Sequence, residues 1–223
     1  IFSEPLKKYT SLRVGGGIIG AATFYKIQQH FPNKNLVLIE KENQLAKHQS
    51  GSNSGVIHSG LYYTPGSNKA RNCVLGRHEL VKFSKEYKVT HDVCGKVVVA
   101  THEKEFEFLD KIYKNGLENN TEGIEKITAN QIKDIEPEVN GIAGIWVPCT
   151  GIIDYVMATK KMVDVARGWN ENSEVLLSQE VKSIENQADI KIIRTQNNIL
   201  KSKYLIACGG LHADRLAKSD DIP

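Results

Sequence analysis

The stretch Val14–Glu40, VGGGIIGAATFYKIQQHFPNKNLVLIE, decides the fold. It sets Gly15, Gly17 and Gly20 in the spacing G-x-G-x-x-G, continues with a helical pattern, and ends in an apolar run closed by an acid. That order is the layout of a dinucleotide-binding βαβ unit. Gly15 permits the tight turn out of the first strand, Gly17 lets the backbone approach a pyrophosphate, and Gly20 lets the helix lie close to the sheet. Ile19, Ala22, Thr23, Ile27, His30 and Phe31 fall at helical spacing and are the expected sheet-facing stripe, with the helix N-terminus aimed at phosphates. Pro32 and Asn33 are the expected stop, and Asn35–Ile39 the second, buried strand. Glu40 at its end would accept hydrogen bonds from ribose hydroxyls and repel a 2′-phosphate, which disfavours NADP.

Upstream of Gly15 the pattern conflicts with this reading. A strand covered on both faces is normally a near-continuous apolar run, yet in Lys7–Val14, KKYTSLRV, only Tyr9, Leu12 and Val14 suit one. An unpaired Arg13 inside a sheet would be costly. Two readings stand: a short, partly exposed first strand, or a chain start that departs from a functional sequence.

The 223 residues can bury one large or two modest domains. Lys and Arg number 29 against 26 Asp and Glu, and they are spread along the chain, so a nucleic-acid surface is not expected. No apolar run approaches the ~18 residues of a membrane helix, and the start lacks a secretory pattern, although a chain beginning at Ile1 leaves a removed targeting segment open. Cys73, Cys94, Cys149 and Cys208 are widely spaced with no CxxC pair. Buried, reduced thiols and no metal site are therefore expected.

After Glu40, the segment KENQLAKHQSGSNSGVIHSGLYY (Lys41–Tyr63) is too rich in Gly, Ser, Asn and His to be a packed element. Ser50, Ser52, Asn53 and Ser54 offer hydrogen bonds to a planar or phosphorylated ligand; the bland alternative is a solvated loop. Downstream, helices are expected over Lys69–Tyr87, around Phe106–Leu117, after the capping box Thr128–Gln131, and after Asp154. Strands are expected at Val97–Ala100, within Gly141–Ile153, and around 175–177, 181–185, 190–195 and Tyr204–Cys208.

GGGIIG, IEKE and HQSGSNSGVIHSGLYYTPGSNKA, followed by CGKVVVAT, GIAGIWVPCTGIIDY and LIACGGLHADRL, together resemble the FAD-dependent oxidoreductases of the D-amino-acid oxidase and glycerol-3-phosphate dehydrogenase superfamily. Within it, the chain is most similar to the L-2-hydroxyglutarate dehydrogenase (oxidase) family. The resemblance implies an α/β fold: a Rossmann-like FAD domain of glutathione-reductase type with an inserted α+β substrate domain. Its expected divisions are 1–87 and 154–223 for the FAD domain and 88–153 for the first part of the substrate domain. It also implies that the C-terminal part, including the segments that close over the flavin ring, lies beyond this sequence.

The implied FAD contacts are Gly15, Gly17, Ile19, Gly20, Glu40, Lys41, Gln49, Ser50, Asn53, Ser54, Val56, Val181, Cys208, Gly209 and Leu211, with Val181 offering backbone to the adenine. The implied substrate is a small 2-hydroxy dicarboxylate, L-2-hydroxyglutarate, oxidised to 2-oxoglutarate with electrons passing to oxygen or a quinone. A cytoplasmic location is expected, with peripheral membrane contact through a quinone acceptor as an alternative, or a mitochondrial one in a eukaryote.

Oxidising an alcohol beside a carboxylate needs a base of near-neutral pKa within reach of the hydroxyl, and His58 in VIHSG meets that need. Three roles remain open for it: base or orienting group for the hydroxyl, hydrogen-bond partner of the flavin, or covalent flavin link. Tyr62, Tyr63, Lys69 and Lys96 are candidate partners for carboxylates, with solvated surface the alternative for each lysine. His30, His78 and His212 read as surface or satisfied groups, and His48 adjoins the loop without an assigned role. Rival readings are oxidation of glycerol 3-phosphate or an amine, a non-catalytic nucleotide-binding chain, and an NAD-dependent dehydrogenase.

Overall fold

The computed structural model describes residues 7–220, so the outer ends of the first and last expected segments (1–6 and 221–223) lie outside the described residues. In chain order the first elements are β1 (Lys7–Val14), α1 (Ile18–His30), β2 (Leu36–Ile39), β3 (Val56–Ile57), α2 (Asn68–Tyr87), β4 (His91–Asp92) and β5 (Val97–Ala100). Next come α3 (Phe106–Glu118), β6 (Glu125–Thr128), α4 (Ala129–Ile135), β7 (Ala143–Trp146), β8 (Gly151–Ile153) and α5 (Tyr155–Trp169). The last are β9 (Glu174–Leu176), β10 (Val181–Gln187), β11 (Ile190–Thr195), β12 (Ile199–Ala207) and α6 (Ala213–Ser219).

Two compact units emerge: Ile1–Asn53 with Tyr155–Pro223, and Ser54–Asp154. The divisions expected from the sequence fell after Tyr87 and Ile153, so the first observed break comes much earlier. The reason lies in the bonds made by residues 54–87. β3 pairs with β8 through Val56↔Ile152 and Ile57↔Gly151, and α2 is tied to the second unit where Arg77 Nη1 reaches Glu122 at 3.3 Å.

The first unit is built on a six-stranded sheet in the order β10-β11-β12-β1-β2-β9. β12, β1, β2 and β9 run parallel, and β10 and β11 continue antiparallel from β12. β1 is therefore central and eight residues long, paired over Lys7↔Leu200 to Val14↔Ala207 on one side and Ser11↔Leu36 to Val14↔Ile39 on the other. This corrects the expectation of a short, partly exposed strand. Pairing on both edges satisfies its backbone whatever its side chains, and Tyr9, Leu12, Val37, Ile39, Ile193 and Leu200 form one buried cluster. β12 likewise begins earlier than expected, because ladders on both sides carry it through Lys201 and Lys203.

The expected stripe of α1 is also corrected. Its buried residues are Gly20, Ala21, Phe24, Tyr25 and Gln28, whereas Ile19 and Phe31 are 66% and 56% exposed. Gly20 is the point of closest approach to the turn, so it fixes the phase of the helix, and positions 24 and 28 follow it onto the same face. Burial of the Gln28 amide is satisfied. Its amide nitrogen, Nε2, donates to the carbonyls of Phe31, Pro32 and Lys34, and its Oε1 accepts from Ser173 Oγ at 2.7 Å. Ser173 Oγ in turn accepts from Leu36 N, which joins the end of α1 to the start of β2.

The second unit holds two three-stranded antiparallel sheets, β3-β8-β4 and β5-β7-β6. Leu109 and Ile112 of α3 pack with Leu61, Ala100, Ile145 and Val147, as the helical spacing predicts, although Phe106 and Leu117 are exposed. The capping box of α4 is formed, with Gln131 N donating to Thr128 Oγ1 and Thr128 N to Gln131 Oε1. The thiols are free, but burial holds for Cys149 alone: Cys73 and Cys208 are half-buried and Cys94 is exposed. No helix among the described residues is long and apolar enough to cross a membrane.

Arg13 contrasts with Gln28. It is fully buried beneath Phe24, its guanidinium 5.6 Å from the ring centroid. Nη1 donates to the Ser11 carbonyl at 3.3 Å, while Nε and Nη2 have no partner among the described residues. Burial pulls its pKa down to about 10, with Cys208 opposing. The unfolded chain therefore binds more protons over the window from about pH 10 up to the ordinary arginine range. The penalty on the native state is complete below that window and is relieved as pH rises through it. Arg13→Leu is expected to stabilise the protein by about 1–4 kcal/mol at neutral pH, of order 5–10 °C in Tm. Thermal unfolding of the two proteins checks this; a lower Tm for the variant would mean that the charge meets a partner.

Candidate dinucleotide site

The turn after β1 is wedged between its neighbours. Cys208 N donates to Val14 O at 2.8 Å and Gly15 N to Ile39 O at 2.8 Å, so the ends of β12 and β2 grip it from both sides. Gly15 has φ +119°, and a Cβ there would lie 2.2 Å from the Cys208 carbonyl oxygen. A Cβ on Gly20 would lie 1.8 Å from Gly15 O. Neither position admits a side chain, because the obstacle in each case is backbone.

Glu40 and the loop behind it hold this turn in place. Glu40 Oε2 accepts from Gly16 N at 2.6 Å and Oε1 accepts from Glu42 N at 2.9 Å, leaving lone pairs over for a ligand hydroxyl. Ala46 N donates to Gly16 O at 2.9 Å. The N-cap of α1 is Gly17, which has no side chain to cap the helix, and Ser50 Oγ from the loop accepts from Ile18 N at 2.9 Å instead. Asn53 Nδ2 donates to Gln49 O and Ser50 O, closing the loop that presents that hydroxyl. Ser50 and Asn53 thus build the site rather than only face a ligand.

The other expected contacts of this unit gather nearby. Gln49 Oε1 faces Gly210, and Leu211 and Ile19 are the exposed apolar side chains, at 80% and 66%. Gly209 opens the short turn before α6, where His212 N donates to its carbonyl. Ser178 N and Gln179 N donate to the carbonyls of Glu42 and Glu40, which brings the segment before Val181 against the acid. Lys41 is exposed, 3.9 Å from Glu42. His48 Nε2 lies 2.8 Å from Glu42 Oε1, which gives it a partner that the sequence left unassigned. Ser54 and Val56 belong to the second unit.

The remaining candidates all lie in that second unit. His58 is exposed on its side chain, and its carbonyl accepts from Cys73 Sγ at 3.4 Å. Partial burial first, and the charge of Lys96 second, hold its pKa below the usual 6.5. The Lys96 ammonium sits 4.6 Å from the Tyr62 ring centroid and the Lys69 ammonium 4.5 Å from that of Tyr63. Burial lowers the pKa of Lys96 and raises that of Tyr62.

Sequence reasoning missed two contributors, Gly16 and Arg77. Gly16 donates to Glu40, and only the run of three glycines hinted at it. Cys208, an expected contact, bears on the turn through its carbonyl rather than its thiol. Arg77 is buried in α2 and bonds Glu122 and His78.

A glycine turn with no room for Cβ atoms, a helix N-terminus capped from outside and a carboxylate with spare lone pairs define a protein that binds an adenine dinucleotide, and this cradle fits FAD. The chain belongs to the FAD-dependent oxidoreductase (DAO) family, whose description matches residues 14–223. It is 43% identical over 205 residues to an L-2-hydroxyglutarate dehydrogenase of Indibacter alkaliphilus, covering 92% of this chain and 51% of that protein. It is 35% identical to a mitochondrial L-2-hydroxyglutarate dehydrogenase of Nematostella vectensis, covering 96% and 50%. An L-alpha-glycerophosphate oxidase from Mycoplasma pneumoniae with FAD bound superposes with a TM-score of 0.88 at 29% identity, over 97% of this chain and 58% of that one. The chain spans about half the length of the curated relatives it matches.

Ser50→Ala is expected to remove the outside cap and lower stability by about 1 kcal/mol. Gly20→Ala, which drives a Cβ into backbone, is expected to cost more than the ~1–3 kcal/mol of ordinary overpacking and to yield protein without flavin. Thermal unfolding and the visible spectrum of purified protein read both; flavin-loaded Gly20→Ala at wild-type Tm would refute the geometry.

Proposed function

We propose that the whole protein oxidises L-2-hydroxyglutarate to 2-oxoglutarate with FAD as hydride acceptor. The observations that carry this reading lie in the second unit, where the Lys96 and Lys69 ammonium groups each sit on the ring of one of two successive tyrosines, Tyr62 and Tyr63, and neither is paired with a carboxylate among the described residues. Two cations free of carboxylate partners suit a substrate with two carboxylates. The identity of 35–43% to L-2-hydroxyglutarate dehydrogenases supports the same choice.

In this reading the first unit binds the dinucleotide. The amides at the N-terminus of α1 and the backbone of Gly15 and Gly17 receive the pyrophosphate, and Glu40 receives the ribose. Bound flavin supplies a two-electron acceptor. Lys96 and Lys69 orient the carboxylates, with the Tyr62 and Tyr63 hydroxyls as further donors. His58 takes the hydroxyl proton as hydride leaves the adjacent carbon. Bound flavin would pass its electrons on to oxygen or to a quinone, the latter at a membrane surface. The 29% identity to the glycerophosphate oxidase favours glycerol 3-phosphate as the second substrate to test.

His58 acts as a base only when neutral, so activity should rise with pH through its pKa and level off above it; that pKa lies below 6.5 in the free protein. His58→Ala is expected to slow flavin reduction by L-2-hydroxyglutarate about 10²–10⁴-fold, read by stopped-flow in a single turnover. Unchanged reduction would end the base assignment, and faster reduction by glycerol 3-phosphate would replace the substrate.

A further inference from the structure

The two lysine–tyrosine pairs draw on three separate segments, and one short turn holds both rings. Lys69 stands in the first turn of α2, whose N-cap Ser67 accepts from Ala70 N at 3.2 Å. Lys96 is fixed through its backbone, which exchanges hydrogen bonds with Val147, N to O at 3.2 Å and O to N at 3.0 Å. The preceding Gly95 has φ +79° and packs so tightly on the Trp146 ring that a Cβ would lie 2.0 Å from it. Tyr62 and Tyr63 belong instead to a turn in which Gly60 has φ +90° and Tyr63 N donates to Gly60 O at 3.1 Å. Such a turn has no ladder to hold it and relies on outside partners for its carbonyls.

Asn119 is that partner. Its amide nitrogen, Nδ2, donates to Gly60 O at 3.1 Å and to Tyr63 O at 2.8 Å, so one side chain bridges both ends of the turn. Asn119 is buried at the C-cap of α3, where its own N donates to Asn115 O at 2.9 Å and Thr121 N to Gly116 O at 2.8 Å. Between the bridged carbonyls, Leu61 is buried in the core, its Cδ1 2.8 Å from where a Cβ on Gly116 would lie. Gly116 and Asn119 are neighbours on one face of the helix. The end of α3 therefore grips the turn by its backbone and by its apolar residue together, and leaves Tyr62 half-exposed with the Lys96 ammonium on its ring.

We propose that Asn119 is a positioning residue that sets the distance between the two ammonium groups and thereby the length of dicarboxylate that the protein accepts. Lys96 takes its place from Val147 and Lys69 from α2, and the clamped turn, which puts a ring under each, is the piece common to both. Without the clamp, two buried carbonyls lose a donor that the core cannot replace. The rings then shift, and the receptor no longer selects one length. Asn119 acts through Tyr62 and Tyr63 and touches no substrate itself. The inference rests on reading Lys69 and Lys96 as a receptor for carboxylates, but not on which hydroxy acid is oxidised.

The test uses the whole, flavin-loaded protein and the non-oxidisable series succinate, glutarate and adipate, with each Kd read from the perturbation of the flavin spectrum. The native protein is expected to prefer glutarate to its shorter and longer neighbours. Asn119→Ala is expected to weaken glutarate binding about tenfold and to level the series, while flavin reduction at saturating L-2-hydroxyglutarate stays within about threefold of the native rate. Ile112→Val, which trims the core face of the same helix, is expected to lower Tm and keep the native preference, which separates positioning from stability. In a Tyr63→Leu background Asn119→Ala is expected to add little, because the group it acts through is gone. Where Asn119→Ala does not fold, Asn119→Ser, too short to bridge both carbonyls, is read in the same way. A native preference that survives unchanged in the Asn119 variant, or is lost equally in Ile112→Val, overturns the inference and leaves the receptor reading standing. A native protein that binds none of the three acids overturns both. An Asn119-dependent preference in a protein that does not reduce its flavin with L-2-hydroxyglutarate supports the positioning role and retires the substrate.

Discussion

Two backbone contacts determine the first unit: the Cys208 carbonyl against Gly15, and the Gly15 carbonyl against Gly20. Each is closer than any side chain allows, and together they lock three elements to one another. β12 is tied to the turn, the turn to α1, and α1 to the sheet. Because Gly20 sits at the contact, the helix has one permitted rotation, and the burial of Phe24 and Gln28 follows from it. The cradle is thus made of peptide groups, which suits a ligand whose phosphates are recognised by N–H donors.

Peptide groups alone would leave the turn unsupported, and the segment after β2 supplies the support. Glu40 ties the Gly16 amide to the Glu42 amide, so the acid at the end of β2 braces the turn while keeping acceptor capacity for a ribose. Ser50 replaces the cap that Gly17 cannot provide. A loop rich in Ser, Asn and Gly is required here for a definite reason. It must present hydroxyl and amide groups to backbone, and bulky residues would fill the space that a dinucleotide needs.

How much of this the sequence disclosed follows from the range of the interactions concerned. The βαβ unit, the acid at position 40 and the family were legible because glycine spacing and strand-ending acids are local signals. The stripe of α1 was misjudged because its phase is set by one tertiary contact at Gly20, against which Ile19 and Phe31 have no say. The first strand was misjudged because residue types alone cannot report pairing on both edges, which carries KKYTSLRV through the middle of the sheet. The division after Asn53 was hidden because it depends on β3 finding β8, nearly a hundred residues downstream. Lys96 meets the same difficulty, since its direction is fixed by Val147 and Trp146 rather than by its neighbours in CGKVVVAT.

Arg13 and Lys96, two cations with no carboxylate partner among the described residues, show why burial alone does not identify a functional group. Arg13 is fully enclosed between β1 and Phe24, and no ligand can reach it without opening the sheet. Its charge therefore burdens the native state and does nothing in return. Lys96 is only half-buried, so its desolvation is smaller and its ammonium remains within reach of an anion from solvent. An unmatched charge becomes a binding device when the cost of holding it in the free protein can be recovered by a ligand. That condition depends on access, and within this chain it separates a lysine at the mouth of a strand from an arginine in the centre of a sheet.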